Sequence, residues 1–127
     1  MARLAGPTGD EIRALQPAAR DAWAEIEASV LRSGVADQAL KELCFRFLAN
    51  EPDASEPERF TGRERAALEW AYAIAIDSDR ADDALWSRLH SLFSEPELVD
   101  LGCAIGFELG RQHFEGTLGL PVHATAS

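Results

Sequence analysis

Three side chains in this sequence stand where acid–base or anion chemistry would place them: Glu42, Arg111 and His113. Glu42 falls in the largely apolar run LKELCFRFLAN. A carboxylate in apolar surroundings is penalised as the anion, which suits it to passing a proton to or from a substrate. Lys41 beside it and Arg46 at i+4 offer the competing fate, an ordinary surface ion pair. His113 and Arg111 fall near the end of a helical pattern, as acid or base and as anchor for a substrate carboxylate. There they can equally interact with the helix dipole and hold the helix end. Tyr72 and Trp70 are the candidate substrate-binding aromatics, with Trp86 and Trp23 as further pocket residues, although aromatics at helical spacing also serve as core.

The two cysteines, Cys44 and Cys103, lie far apart in the chain, at neither a metal nor a redox spacing, and are expected to be buried free thiols. No His-x3-His, His-Glu-x2-His or carboxylate cluster stands at ligand spacing, so no metal and no other cofactor is expected. Phosphate-cradling glycine loops and Gly-x-Ser-x-Gly elbows are absent from the sequence.

The elements that must position these residues are helical. A short helix is expected over residues 10–15, and a second begins at Pro17, tolerated in a first turn, and runs to about Ser33 with Ala22, Trp23, Ile26, Val30 and Leu31 on one stripe. Gly34 follows as a residue able to adopt positive φ. A third helix over residues 37–49 carries Leu40, Leu43, Cys44 and Phe47 on one side and Phe45 on another, so it should be central. The segment NEPDASEPERFTG, with two prolines and five charged residues, reads as an exposed loop.

Thr61-Gly62-Arg63-Glu64 has capping-box spacing and predicts a helix to Ile76. Asp82 can cap a helix over Asp83–Leu92. Ser94-Glu95-Pro96-Glu97 is a second capping box, opening a last helix to about Phe114. On that helix Gly102, Gly106 and Gly110 recur every four residues, each costing about 1 kcal/mol relative to Ala. Such a row points to close approach of another helix, inside the subunit or across an interface. The whole is one all-α domain of five to six helices over residues 1–127, with 1–8 and 122–127 expected to be flexible.

Lys and Arg total 12 against 22 Asp and Glu, a net charge of −10 spread along the chain. Without a cationic cluster, nucleic-acid and anionic-membrane partners are not expected. No uncharged apolar run approaches the roughly 18 residues of a membrane helix, and no secretory h-region opens the chain, so a soluble cytoplasmic protein is expected.

The run RERAALEWAYAIAIDSDRADDALWSRLHSLFSEPELVDLGCAIGFELGR, together with LKELCFRFLAN, resembles the carboxymuconolactone decarboxylase and AhpD-like superfamily. The resemblance implies an AhpD-like helical bundle and a homo-oligomer. In the peroxidase branch a relay Glu, matched here by Glu42, precedes a Cys-x-x-Cys and a His. Counted forward without gaps, those positions fall on Ala54, Pro57 and Thr61, so the dithiol is missing and with it hydroperoxide reduction. The resemblance thus implies a small organic ligand or substrate handled by decarboxylase- or isomerase-like proton transfer, with Glu42 and His113 catalytic and Arg111, Tyr72 and Trp70 binding. The alternative is a non-catalytic oligomeric scaffold or binding protein that has lost the superfamily site.

Overall fold

A computed structural model describes residues 3–121. The expected flexible tail, 122–127, lies outside them, as do residues 1 and 2. The described chain is all-α: α1 (Gly9–Arg13), α2 (Pro17–Ile26), α3 (Gln38–Leu48), α4 (Gly62–Ala75), α5 (Asp83–Leu92) and α6 (Glu95–Thr117). Helix starts follow local chemistry. Thr8 Oγ1 accepts from the Glu11 amide at 3.2 Å, Asp37 Oδ1 from Ala39 at 3.0 Å and Asp82 Oδ1 from Leu85 at 2.9 Å, each satisfying an otherwise orphaned first-turn donor.

The Ser94 capping box forms in full: Ser94 Oγ accepts from the Glu97 amide, and Glu97 Oε1 accepts from the Ser94 amide at 2.9 Å. The Thr61 box does not. Gly62 opens α4 at φ +58, a left-handed turn that carries the Thr61 hydroxyl away from the N3 amide, and no side-chain cap bond is made. The end of α3 is a Schellman closure, with Asn50 at φ 59, its amide donating to Phe47 O and the Glu51 amide to Arg46 O.

Helix α2 does not run on regularly to Ser33. It widens into a π-turn over Glu27–Leu31, where the Arg32 amide donates to Glu27 O at 3.0 Å. The carbonyls left over at this end are taken by side chains from α3: Lys41 Nζ donates to Val30 O and Ser33 O, both at 2.6 Å, and Gln38 Nε2 to Leu31 O at 2.7 Å.

Helix α3 is central, as its two apolar sides require. Leu40, Leu43, Cys44 and Phe47 face a core completed by α4, α5 and α6, whereas Phe45 turns to a smaller cluster with Leu31 and Ala104. The α2 stripe is shallower than expected: Ala22 is exposed, while Trp23, Ile26 and Val30 are half-buried. The exposed loop after α3 anchors itself by Ala54, which is fully buried. Among the described residues no helix is long and apolar enough to cross a membrane.

The glycine row on α6 divides. A Cβ at Gly102 would come within 2.7 Å of Trp70 Cη2, so this glycine admits the indole. Gly106 and Gly110 face open space. The interior and exterior faces of α6 are therefore served by different members of one sequence pattern.

Candidate functional site

The five sequence-derived site residues are not gathered in one place. Glu42 is half-buried on α3 and lines none of four surface clefts. Neither expected cation pairs with it: Lys41 reaches Asp100 at 2.8 Å and Arg46 lies 3.6 Å from Asp53. His113 is exposed on α6. Tyr72 lies under the Arg80 guanidinium, 5.2 Å from its ring centroid, in a 420 Å³ cleft between α4 and α5 that also holds Arg65, Glu69 and Arg88. Trp70 lines a separate cleft, and Arg111 belongs to a third.

Two buried ionic assemblies were not foreseen. In the first, the Lys41 side chain is fully buried and its ammonium is saturated by Val30 O, Ser33 O and Asp100 Oδ2. Asp100 Oδ2 also accepts from the Ala36 amide at 2.8 Å. The intervening turn fits because Gly34 has φ +119 and no Cβ, which would otherwise overlap the Asp100 carboxylate. This cluster clamps the 33–36 turn onto α6.

The second assembly lies on the C-terminal half of α6. Glu108, fully buried, receives a two-pronged contact from Arg111, Nε to Oε1 at 2.7 Å and Nη2 to Oε2 at 2.8 Å. Gln112 Nε2 donates to Glu108 Oε2 at 2.9 Å and to Phe45 O at 3.1 Å. Glu115 then joins two guanidiniums, accepting from Arg111 Nη1 at 2.9 Å and from Arg13 Nη1 at 3.0 Å. Burial opposes the Arg111 charge, but the hydrogen bonds and charges of Glu108 and Glu115 outweigh it and hold its pKa above the ordinary arginine value. The arrangement fastens α1 to α6 beside a 420 Å³ cleft.

The thiols divide as well. Cys44 is fully buried, and burial pushes its pKa up to about 12, leaving an unreactive neutral thiol. Cys103 is exposed, contrary to the expectation of burial, because it lies on the outer side of α6.

The cleft with the composition of a ligand site is a 540 Å³ depression between α4, α5 and the start of α6. Trp70 and Trp86 stand 5.5 Å apart between ring centroids with planes inclined by 67°, and the His90 ring continues the row 5.6 Å from Trp86. Leu98, Val99 and Gly102 complete the apolar wall, and Glu95 and Cys103 supply polar atoms. Among the described residues, the side chains of Glu95 and His90 make no hydrogen bond or ion pair. Mostly apolar walls with a few uncommitted polar groups are the usual composition of a small-molecule site. Across the ridge of Val99 and Cys103 lies a 600 Å³ groove lined by Val30, Val35 and Pro96.

Comparison with known protein families, with curated proteins and with solved structures finds no match. The site therefore rests on its own geometry. Trp70 was legible from sequence, whereas Trp86 stood only as a further pocket candidate and Glu95 only as a capping-box position. One signal would have exposed the ionic assembly: Leu98, Leu101 and Ile105 continue at the same spacing into Glu108, Gln112 and Glu115, so polar residues occupy the buried stripe.

Proposed function

We propose that this chain is a divergent AhpD-like, carboxymuconolactone decarboxylase-like protein without the peroxidatic dithiol, and that it binds a small organic molecule in the Trp70–Trp86 cleft. The observation that carries the reading is the pairing of an apolar, aromatic-walled depression with the uncommitted side chains Glu95 and His90. The six-helix all-α architecture is what the family half requires, and the missing dithiol removes its peroxidase branch. Two unpaired cysteines fit a reducing compartment, the cytoplasm.

In the catalytic form of this reading Glu42 exchanges the proton, with His113 or Arg111 as anion partner. The binding form is better supported, because Glu42 and His113 line none of the clefts described above and Arg111 is committed to Glu108 and Glu115. Titrating the labelled protein with a panel of small organic molecules while following the three indole N–H resonances tests it. Movement of the Trp70 and Trp86 signals, with Trp23 still, is expected. A panel that moves none of them would remove the binding assignment. Loss of a discovered turnover in both Glu42→Gln and His113→Ala would restore the catalytic form.

A second reading is favoured by one feature of α6. From Val99 to Phe114 the outer face carries Val99, Cys103, Gly106, Phe107, Gly110 and Phe114 with no acidic or basic residue apart from His113, in a chain of net charge −10. Val99 is 66% exposed, Phe107 40% and Phe114 44%. This strip runs roughly 22 Å along the helix, and two copies of an acidic protein can meet there without opposing like charges. On this reading the scaffold forms a homo-oligomer through α6. Light scattering should then give a multiple of the 13.9 kDa chain mass, reduced to one chain by Gly106→Glu. A monomer at micromolar concentration would refute it.

A further inference from the structure

Resting on the binding reading above, we infer that the Trp70–Trp86 cleft selects an organic cation, a quaternary or protonated alkylamine, over neutral and anionic molecules of the same size. The inclined indoles form a corner rather than a parallel stack. A compact cation seated against Trp86, the more exposed of the two indoles, would meet the negative quadrupole of its ring, an attraction that a neutral isostere lacks. Glu95, at the first position of α6, is the single acidic residue of the lining, and Lys and Arg are absent from it. Its carboxylate is exposed and carries no ion pair among the described residues, so it is available to a ligand.

The other clefts lack this combination. The Tyr72 cleft has Arg80 seated on its aromatic ring and two further arginines in its wall, and the α1–α6 cleft is lined by Arg13, Arg32 and Arg111. A cation would compete there with guanidiniums already in place. The Trp70–Trp86 cleft holds no ammonium or guanidinium, and the positive charge beside Glu95 is only the partial one of the α6 N-terminus. The acidic field of the whole chain adds a long-range preference of the same sign. Gly102 sets the depth of the pocket, since any larger residue would push Trp70 out of its place against α6.

Choline, its neutral isostere 3,3-dimethylbutan-1-ol, and benzoate serve as probes, read by the indole N–H resonances of Trp70 and Trp86 with Trp23 as internal control. Choline is expected to bind about tenfold more tightly than the alcohol, the size of a cation–π contribution in a partly desolvated site. Glu95→Gln, on an exposed side chain, should lower choline affinity several-fold and leave the alcohol unchanged. Equal affinity for choline and the alcohol, or tighter benzoate binding, would overturn the cation preference while leaving small-molecule binding intact. Silence of the Trp70 and Trp86 signals toward all three probes would overturn both. A Glu95→Gln variant that weakens choline and the alcohol alike would remove the carboxylate from the argument and leave a merely apolar pocket.

Discussion

Replacing Lys41 by Met keeps the length and apolar stem of a fully buried side chain and deletes only the ammonium. Three acceptors then lose a donor: Val30 O, Ser33 O and Asp100 Oδ2. Removing one partner of a buried pair typically costs about 3–5 kcal/mol, because the remaining charge stays desolvated. Here Asp100 keeps its bond from the Ala36 amide and is 13% exposed, so water can relieve part of the loss and the lower end, about 3 kcal/mol, applies. That is a large share of the roughly 5–15 kcal/mol that stabilises a domain. With a urea m-value of about 1.5 kcal/mol/M the midpoint should fall by about 2 M at unchanged slope. Adding Asp100→Asn removes the stranded charge yet still offers an acceptor to Ala36, so the double variant should lose less than the sum of the singles by about 1–2 kcal/mol. A Lys41→Met midpoint within about 0.5 M of the parent, or strict additivity in the double variant, would refute the clamp.

Other substitutions discriminate among the remaining claims. Gly102→Ala should destabilise by about 1–3 kcal/mol because its Cβ meets Trp70, whereas Gly106→Ala, facing open space, should stabilise the isolated chain by up to about 1 kcal/mol; thermal melts of the pair check the contrast. A chromogenic aryl disulfide at about pH 8 should titrate Cys103 rapidly in the native protein and Cys44 only after unfolding. In Cys44 the folded pKa lies above the unfolded value of 9.0. Its contribution to stability is therefore complete below that pH and is lost as pH rises toward about 12; Cys44→Ala should flatten that part of an alkaline stability profile. Glu108→Ala should cost about 3 kcal/mol in denaturant titration, the lower end for a broken buried pair because Arg111 keeps Glu115, and Glu108→Leu with Arg111→Met should recover part of it.

Several helix starts are readable from local signals, Pro17, Asp82 and Ser94, acting within a few residues, whereas the Thr8 and Asp37 caps emerge only in the structure. Thr61 shows the limit of such signals, since Gly62 beside it adopts a backbone conformation that the spacing of Thr and Glu does not encode. The π-turn after α2 escaped notice because its stability comes from Lys41 and Gln38 on the next helix. Glu42 has apolar neighbours in sequence, yet the charged residues that are buried are Lys41, Glu108 and Glu115. Burial is decided by which side of a helix faces the core, and a residue adjacent in sequence faces another way. The aromatic cleft joins α4, α5 and α6, so no single periodic segment contains it.

The Arg13–Glu115 bond links positions 102 apart in the chain. It makes the described chain a nearly closed circuit, and closing so long a loop is entropically costly until the intervening helices are in place. Helix α1, only five residues long, is held by this latch together with buried Ile12 and the seat of Arg13 on the Trp23 ring. The described chain therefore has a fastener that reports on completion: the Arg13–Glu115 latch closes only when α6 has already found its place.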